Sequence, residues 1–533
     1  MDKKELRSSI FRHLDGIVTA PIVATLHEKK ILNLISQQKR ITLSDISEYL
    51  PINEGYMNVA VRALASQGFI DYQLNSHTDT VELTPNVHTP FLLQYASLYD
   101  KVIPYLKESL HPIFQELEQG AFEKFFYLFD ELDRNFGLPV PKEDPEKKVF
   151  AQILKHLEGC LVAPLIVQLG MNGMFHKYFM ETSFQAAEFH KNPEHFEKIL
   201  NFLSTLGWFT KHQNNYKFTE NGLYFARRAT SYGVTVSYLP MLMQMTSLLF
   251  GNPEKLRDNN ESKEEIHVDR KMNVWGSGGA HSTYFRVVTD FIISIFDQPI
   301  HLQPKGILDM GCGNGAFIQH IFETIERHTL RGKMLEDYPL FLVGADYNQA
   351  ALDVTRANLI SNDIWAKVIW GDIGNPDRLA KDLQENYDID LSDLLNIRTF
   401  LDHNRIWKEP ENMNTDRIST SSGAFAFRGK RLPNKWVEEN LKEHLSLWLP
   451  YIKKNGLLVI ELHTLDPKIT SLHLGETAAT AYDATHGFSD QYIVEVDVFH
   501  KICAEVGLTA DKNLFKKFPD SELATVTINM LKA

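Results

Sequence analysis

The stretch PKGILDMGCGNGAFIQH, residues 304–320, decides the architecture of the C-terminal part of this chain. Its apolar run from Gly306 to Met310 reads as a strand, Gly311-Cys-Gly-Asn-Gly315 as a tight turn, and the residues from Ala316 as a helix. Glycines at 311, 313 and 315 let a backbone turn sharply at a strand's C-terminal end and approach a ligand with no Cβ in the way. From Ile300 onward strands alternate with helices, the pattern of a parallel sheet. FLVGAD closes a second strand at Asp346 and VIWGDI (368–373) a third at Asp372 and Ile373. DLLNIRTFL (393–401) and NGLLVIELH (455–463) give a fourth and fifth, and LTADKNLFKKFP and ATVTINMLK read as a closing pair of edge strands. Ligands of open α/β sheets bind at strand C-termini, so the residues there are the candidates for chemistry.

Those ends are acidic. Asp309 precedes the glycine turn, Asp346 suits the two hydroxyls of a ribose, and Asp372 suits an adenine amino group. The set resembles class I S-adenosylmethionine-dependent methyltransferases, whose first motif is E/DxGxGxG and whose second strand ends in an acid. The resemblance implies a Rossmann-like domain that binds S-adenosylmethionine through Asp309, Gly311, Gly313, Asn314, Asp346, Tyr347, Asp372 and Ile373. A dinucleotide-binding domain is the rival, since its acid plays the same ribose role. That fingerprint is GxGxxG with the acid about 20 residues on. Here the turn is GCGNG, and Asp346 lies 37 residues beyond Asp309, across the insert HTLRGKMLEDYP.

Two strand ends carry a histidine beside an acid: Leu401-Asp402-His403-Asn404-Arg405 and Glu461-Leu462-His463-Thr464. Two histidines and a carboxylate from neighbouring strands suit a divalent metal with open positions. A histidine at such a place equally suits a general base. MNVWGSGGAHSTYF (272–285), NIRTFLDHNR (396–405), IELHT (460–464) and HGFSDQYIVE (486–495) resemble metal-dependent natural-product C-methyltransferases. That group includes 2-ketoarginine and phenylpyruvate C-methyltransferases and the methyltransferase of the apratoxin loading module. The resemblance implies methylation of an activated carbon of a 2-oxo acid or a carrier-bound β-dicarbonyl acyl group. It also implies an enolate stabilised by iron, manganese or zinc, with His403, His463, Asp402 and Gln491 as ligands and His403, His463 and Arg405 as catalytic residues. Arg405 or Arg398 would pair with a substrate carboxylate, or else with Asp393 or Asp402. GSGGAH (276–281) reads as a glycine-rich hinge or closing loop before a helix from Tyr284, with His281 and Tyr284 pointing inward. Two other readings stay open: a metal-independent O-methyltransferase with His403 as base, and a binding protein that senses S-adenosylmethionine.

The first half contains a repeat. FRHLDGIVTAPIVATL (11–26) and LKHLEGCLVAPLIVQL (154–169) match at a constant offset of 143, which sets His13 on His156, Gly16 on Gly159 and Pro21 on Pro164. Each copy continues with a helix stopped by glycine, NEGYMNVAVRALASQG and NPEHFEKILNFLSTLG, and then a short β pattern, the order of a winged helix. The expected division is repeat 1 over 1–132, a linker over 133–148, repeat 2 over 149–262, a connection over 263–299 and the catalytic domain over 300–533. A helix that reads DNA needs basic and polar side chains. These helices offer Arg62 beside Glu54, and Lys198 beside Glu194 and Glu197, so they read as packing and dimerisation modules, with a homodimer through the helical domains as the expected assembly. His13 and His156 read as structural histidines.

Composition agrees. With 533 residues the chain expects about three domains. Apolar residues at 44% and charged residues at 23% fit a folded, core-forming protein. A net charge of -13 repels phosphate backbones and anionic membranes, so neither nucleic acid nor membrane is an expected partner. Cys160, Cys312 and Cys503 have no CxxC spacing, and no signal core or run of 18 uninterrupted apolar residues occurs, which reads as a reduced, cytoplasmic setting.

Overall fold

The computed structural model describes residues 2–110, 123–177, 182–256, 266–414 and 416–533. They form two compact units. The first comprises Met1–Ala280 together with two returns of the later chain, Ala424–Arg431 and Asp466–Ser489; the second comprises His281–Gly423, Leu432–Leu465 and Asp490–Ala533.

The repeat builds the first unit. Lys3–Glu28 and Glu146–Met171 are helices of 26 residues each, and each carries its proline inside. They cross backbone to backbone at the paired glycines. A Cβ on Gly16 would stand 2.4 Å from the carbonyl oxygen of His156, and one on Gly159 would stand 2.4 Å from the Cα of His13. By length and composition Glu146–Met171 also suits a membrane span, but 78% of its most apolar window is buried within the protein.

The repeated histidines are satisfied across this crossing. His13 bonds the Tyr232 hydroxyl at 2.8 Å and Glu158 at 3.0 Å. His156 bonds the Tyr99 hydroxyl at 2.7 Å and Gln67 at 3.0 Å, and burial lowers its pKa to about 3. Asp15 holds the place in the first helix that Glu158 holds in the second, and one of its oxygens has no hydrogen-bond partner among the described residues. Burial raises its pKa to about 7.

Each copy then adds a helix and a hairpin. Glu54–Ser66 precedes the antiparallel pair Ile70–Asn75 and Thr80–Pro85. Pro193–Thr205 precedes Phe209–His212 and Asn215–Phe218. The place of a DNA-reading helix is filled from within. Arg62 is 2% exposed and paired with Asp483, and Gln67 donates to the Thr480 hydroxyl at 2.8 Å. The second return is thus held by the helix of the first wing. The first return is a hairpin whose Gly429 carbonyl accepts from the Gly55 amide at 2.9 Å and whose Arg431 clasps Asp79 at 2.7 and 2.8 Å.

GSGGAH is not a loop. It lies inside the helix Arg270–Phe296. A Cβ on Gly276 would meet the Gly233 backbone at 2.7 Å, and Trp275 occupies the space beside Gly170, so close helix packing explains the glycines there. The side chain of His281 lies outside the described residues.

The second unit is the expected α/β fold. Its seven strands are β1 Gly306–Met310, β2 Phe341–Asp346, β3 Lys367–Trp370, β4 Leu394–Thr399, β5 Leu457–Leu462, β6 Thr509–Phe518 and β7 Val526–Lys532. They are ordered β6-β7-β5-β4-β1-β2-β3. The pairs β3–β2, β2–β1, β1–β4 and β4–β5 are parallel, while β7 is antiparallel to both β5 and β6. The direction of the order reverses between β1 and β4, and such a switch leaves a crevice at the strand C-termini.

Two predictions test the first unit. Gly16→Ala forces the helices apart and costs roughly 1–3 kcal/mol or more, whereas Gly278→Ala, with nothing within 4 Å of the added methyl, gains up to about 1 kcal/mol of helix propensity. Chemical denaturation reads the opposite signs. Asp15 binds its proton more tightly folded than unfolded, so it subtracts stability as the pH rises from about 4 to about 7 and adds no further loss above. Asp15→Asn removes that slope and raises stability near pH 8 by at most about 4 kcal/mol.

Candidate active site

The glycine turn is built by β1 and β2 together. The amides of Gly311 and Cys312 both donate to the Ala345 carbonyl, at 2.7 and 3.1 Å. Gly311 has φ +83° and Gly313 φ +56°, a region that side-chain-bearing residues rarely adopt. The space beside Gly313 is open except for the Gly311 oxygen at 4.0 Å, so a ligand can come against the backbone there. The Asn314 side-chain oxygen accepts from the Ala316 amide at 3.1 Å, at the start of the helix Ala316–His328.

The acids take distinct places around this turn. Asp346 ends β2, where one oxygen accepts from the Gly313 amide at 3.1 Å and the other from the Asn348 amide at 2.8 Å. Tyr347 is largely exposed, and its ring lies 5.5 Å from that of Trp370, which Arg378 covers at 4.3 Å. Asp372 follows β3 and accepts from the Gly374 amide at 2.8 Å, while the buried Ile373 accepts the Trp448 indole N–H on its carbonyl at 2.7 Å. Asp309 is 2% exposed, and its Oδ1 has no partner among the described residues. Burial and then the charge of Asp346 push its pKa up to about 7. A buried acid with an open oxygen beside an open glycine turn fits a ligand that carries positive charge, as S-adenosylmethionine does on its sulfonium and ammonium groups.

β4 and β5 place His403. It sits in the short turn Asp402–Asn404 after β4, 6% exposed. Its Nδ1 is 2.5 Å from Glu461 Oε1 on β5, and its amide donates to Glu461 Oε2 at 3.3 Å. A carboxylate partner puts the neutral ring's proton on Nδ1 and makes Nε2 the basic nitrogen. Tyr492 closes the turn, its amide donating to the His403 carbonyl at 2.8 Å.

The other expected metal ligands differ in how far they are engaged. His463 is fully buried; its Nδ1 faces the Val494 carbonyl at 3.1 Å and must carry the proton, so Nε2 accepts from the Thr527 hydroxyl at 2.7 Å. Burial lowers its pKa to about 3. Asp402 binds Arg398 at 2.5 Å and His444 at 2.9 Å through one oxygen. Burial works against its charge, but the Arg398 guanidinium and His444 outweigh it and hold the acid well below its ordinary range. Gln491 Oε1 and Asp402 Oδ2 are buried without a partner among the described residues. Among the described residues, no group of three or more His, Cys, Asp and Glu is arranged to hold a metal ion. Of the expected ligands, His463 has both ring nitrogens taken by internal partners, while Asp402 and Gln491 each keep one oxygen.

Arg405 is also committed. Its Nε donates to Asn440 at 2.6 Å, and its Nη1 and Nη2 donate to the carbonyls of Asp402 and Val437 at 2.9 and 3.3 Å. It is 3% exposed and spans backbone rather than facing a substrate. The residues that sequence reasoning did not assign are Glu461, which stood in plain view in IELHT, and Trp370, Asn440 and His444, for which no motif gave a signal.

An ionised Asp309 favours a cationic cofactor, so affinity for S-adenosylmethionine falls as the pH drops from about 8 to about 5.5. Asp309→Asn weakens binding at the upper pH and flattens the dependence; calorimetric titration at several pH values checks both.

Three domain families match this chain. The AprA MT2-like domain matches residues 265–529, the AprA winged helix domain 158–252 and the AprA N-terminal domain 6–72. No curated protein matches the sequence. Among solved structures it is similar to the mitomycin 7-O-methyltransferase MmcR, at 12% identity and TM-score 0.42, over 70% of this chain and 95% of that one. It is similar to human N-acetylserotonin methyltransferase at 13% identity and TM-score 0.39, over 73% and 99%. The CurJ carbon methyltransferase matches at 12% identity and TM-score 0.32, over 77% and 98%. With its glycine turn on a β6-β7-β5-β4-β1-β2-β3 sheet and the catalytic, winged-helix and N-terminal domains all matched, the chain is an S-adenosylmethionine-dependent methyltransferase that carries AprA-type domains.

Proposed function

We propose that the chain methylates an acidic carbon of a small acid, a 2-oxo acid or a β-dicarbonyl acyl group, with His403 as the general base. The observation that carries this reading is the 2.5 Å contact between His403 Nδ1 and Glu461 at the C-terminal ends of adjacent strands. Glu461 fixes the tautomer and stabilises the imidazolium that forms when Nε2 takes the acceptor's proton. A carbon between two carbonyls, as in a β-dicarbonyl acyl group, is acidic enough for an imidazole because the second carbonyl spreads the negative charge; the methylene of a 2-oxo acid has a single adjacent carbonyl and is the weaker acid, so the β-dicarbonyl acyl group is the better match for His403. S-adenosylmethionine supplies the electrophilic methyl group when bound. The protein's own share is to orient the acceptor, exclude water and hold the proton on His403.

The same pair supports transfer to a hydroxyl, and the commitment of both His463 ring nitrogens to internal partners favours that second reading over chemistry assisted by a metal on His463. An assay against a panel of 2-oxo acids, β-dicarbonyl thioesters and phenols, with and without chelator, separates them. We expect chelator-insensitive turnover with a new carbon–methyl bond seen by NMR of the product. His403→Ala lowers kcat by about 10²–10⁴, and Glu461→Gln lowers it less. Full activity of His403→Ala, or loss on chelation that is restored by a divalent metal, overturns the reading; an oxygen–methyl bond in the product selects the second one.

A further inference from the structure

The turn that carries His403 is clamped from its buried side. Asp402 is 1% exposed and takes Arg398 Nη1 and His444 Nε2 on one carboxylate oxygen, at 2.5 and 2.9 Å. Arg398 is fully buried at the end of β4 and lies on the face of Trp448 at 4.2 Å. Arg405, on the far side of the turn, returns a bond to the Asp402 carbonyl. The partners His444, Asn440, Val437 and Trp448 all stand on one helix, Asn434–Ile452. Side chain and backbone of Asp402 are therefore tied to a rigid element, and the residue next along the chain is His403.

We propose that Asp402 is a positioning residue of the methyl-transfer site: held by Arg398 and His444 through one carboxylate oxygen, it fixes the turn so that His403 Nδ1 stays on Glu461. This rests on the reading of His403 as the base. A buried ion network seldom adds stability over well-packed apolar side chains, so its value here lies in the geometry that it imposes. That geometry matters because a displacement of about 1 Å costs on the order of 10² in rate.

The obvious variant, Asp402→Asn, leaves the Arg398 charge buried with no counter-charge and is expected to lose stability. The double variant Arg398→Met/Asp402→Asn removes both charges and recovers a folded protein, as thermal denaturation will show. In crystals of the double variant the His403–Glu461 contact lengthens beyond hydrogen-bond distance. On the acceptor found in the panel assay, kcat falls about 10- to 100-fold with the KM for S-adenosylmethionine unchanged. A stable double variant with the wild-type contact and wild-type kcat overturns the proposal. If His403→Ala itself stays active, the base assignment fails, and the crystallographic contact still decides whether Asp402 positions His403.

Discussion

A carboxylate taken out of water must find compensation, because a buried, unpaired charge costs several kcal/mol. The sheet of the catalytic unit buries three of them at the ends of three adjacent strands. Asp309 lies in β1, Asp402 just beyond β4 and Glu461 in β5, none more than 3% exposed. Each meets the constraint differently. Asp402 is neutralised by Arg398 and His444, and Glu461 is bonded by His403. Asp309 and Asp402 each keep one oxygen without a donor among the described residues, but only in Asp309, which has no cationic partner on its other oxygen, is the pKa raised to about 7. Under the proposed function the pattern divides labour along the crevice: one acid to hold the turn, one to orient the base, one for a cation that arrives with the cofactor.

The fold was legible in the sequence wherever one strand and one turn suffice to state it. Alternating strands and helices, three glycines in five residues and an acid at the end of β2 each follow from local backbone physics. The site was legible only in part. His403 is where the sequence placed it, but spacing alone shows two histidines beside two acids and says nothing of which atoms face each other. The register that puts Glu461 under His403 and Thr527 beside His463 comes from strand pairing 58 and 64 residues apart in the chain. The GSGGAH run misled for a related reason. Glycine marks either a flexible backbone or a close approach, and only the presence of Gly233 opposite Gly276 shows that the second applies.

The signature residues of the repeat in the first half are those that a helix crossing needs: glycine at the contact and histidine beside it to tie the two helices together. The wing-bearing helix keeps the outline of a nucleic-acid reader while its one arginine is spent on Asp483. A shape that elsewhere grips phosphate here grips a carboxylate of its own chain.

The two returns of the chain, 424–431 and 466–489, set a limit on how this protein can be taken apart. The second leaves immediately after Leu465, three residues past β5, and comes back at Asp490, two residues ahead of the tyrosine that closes the His403 turn. A cut at the start of the catalytic family match would therefore strip Thr480 and Asp483 of their partners and leave an apolar helix exposed in the midst of the catalytic sequence. The front half of the chain therefore completes its packing only with pieces that lie within the catalytic sequence.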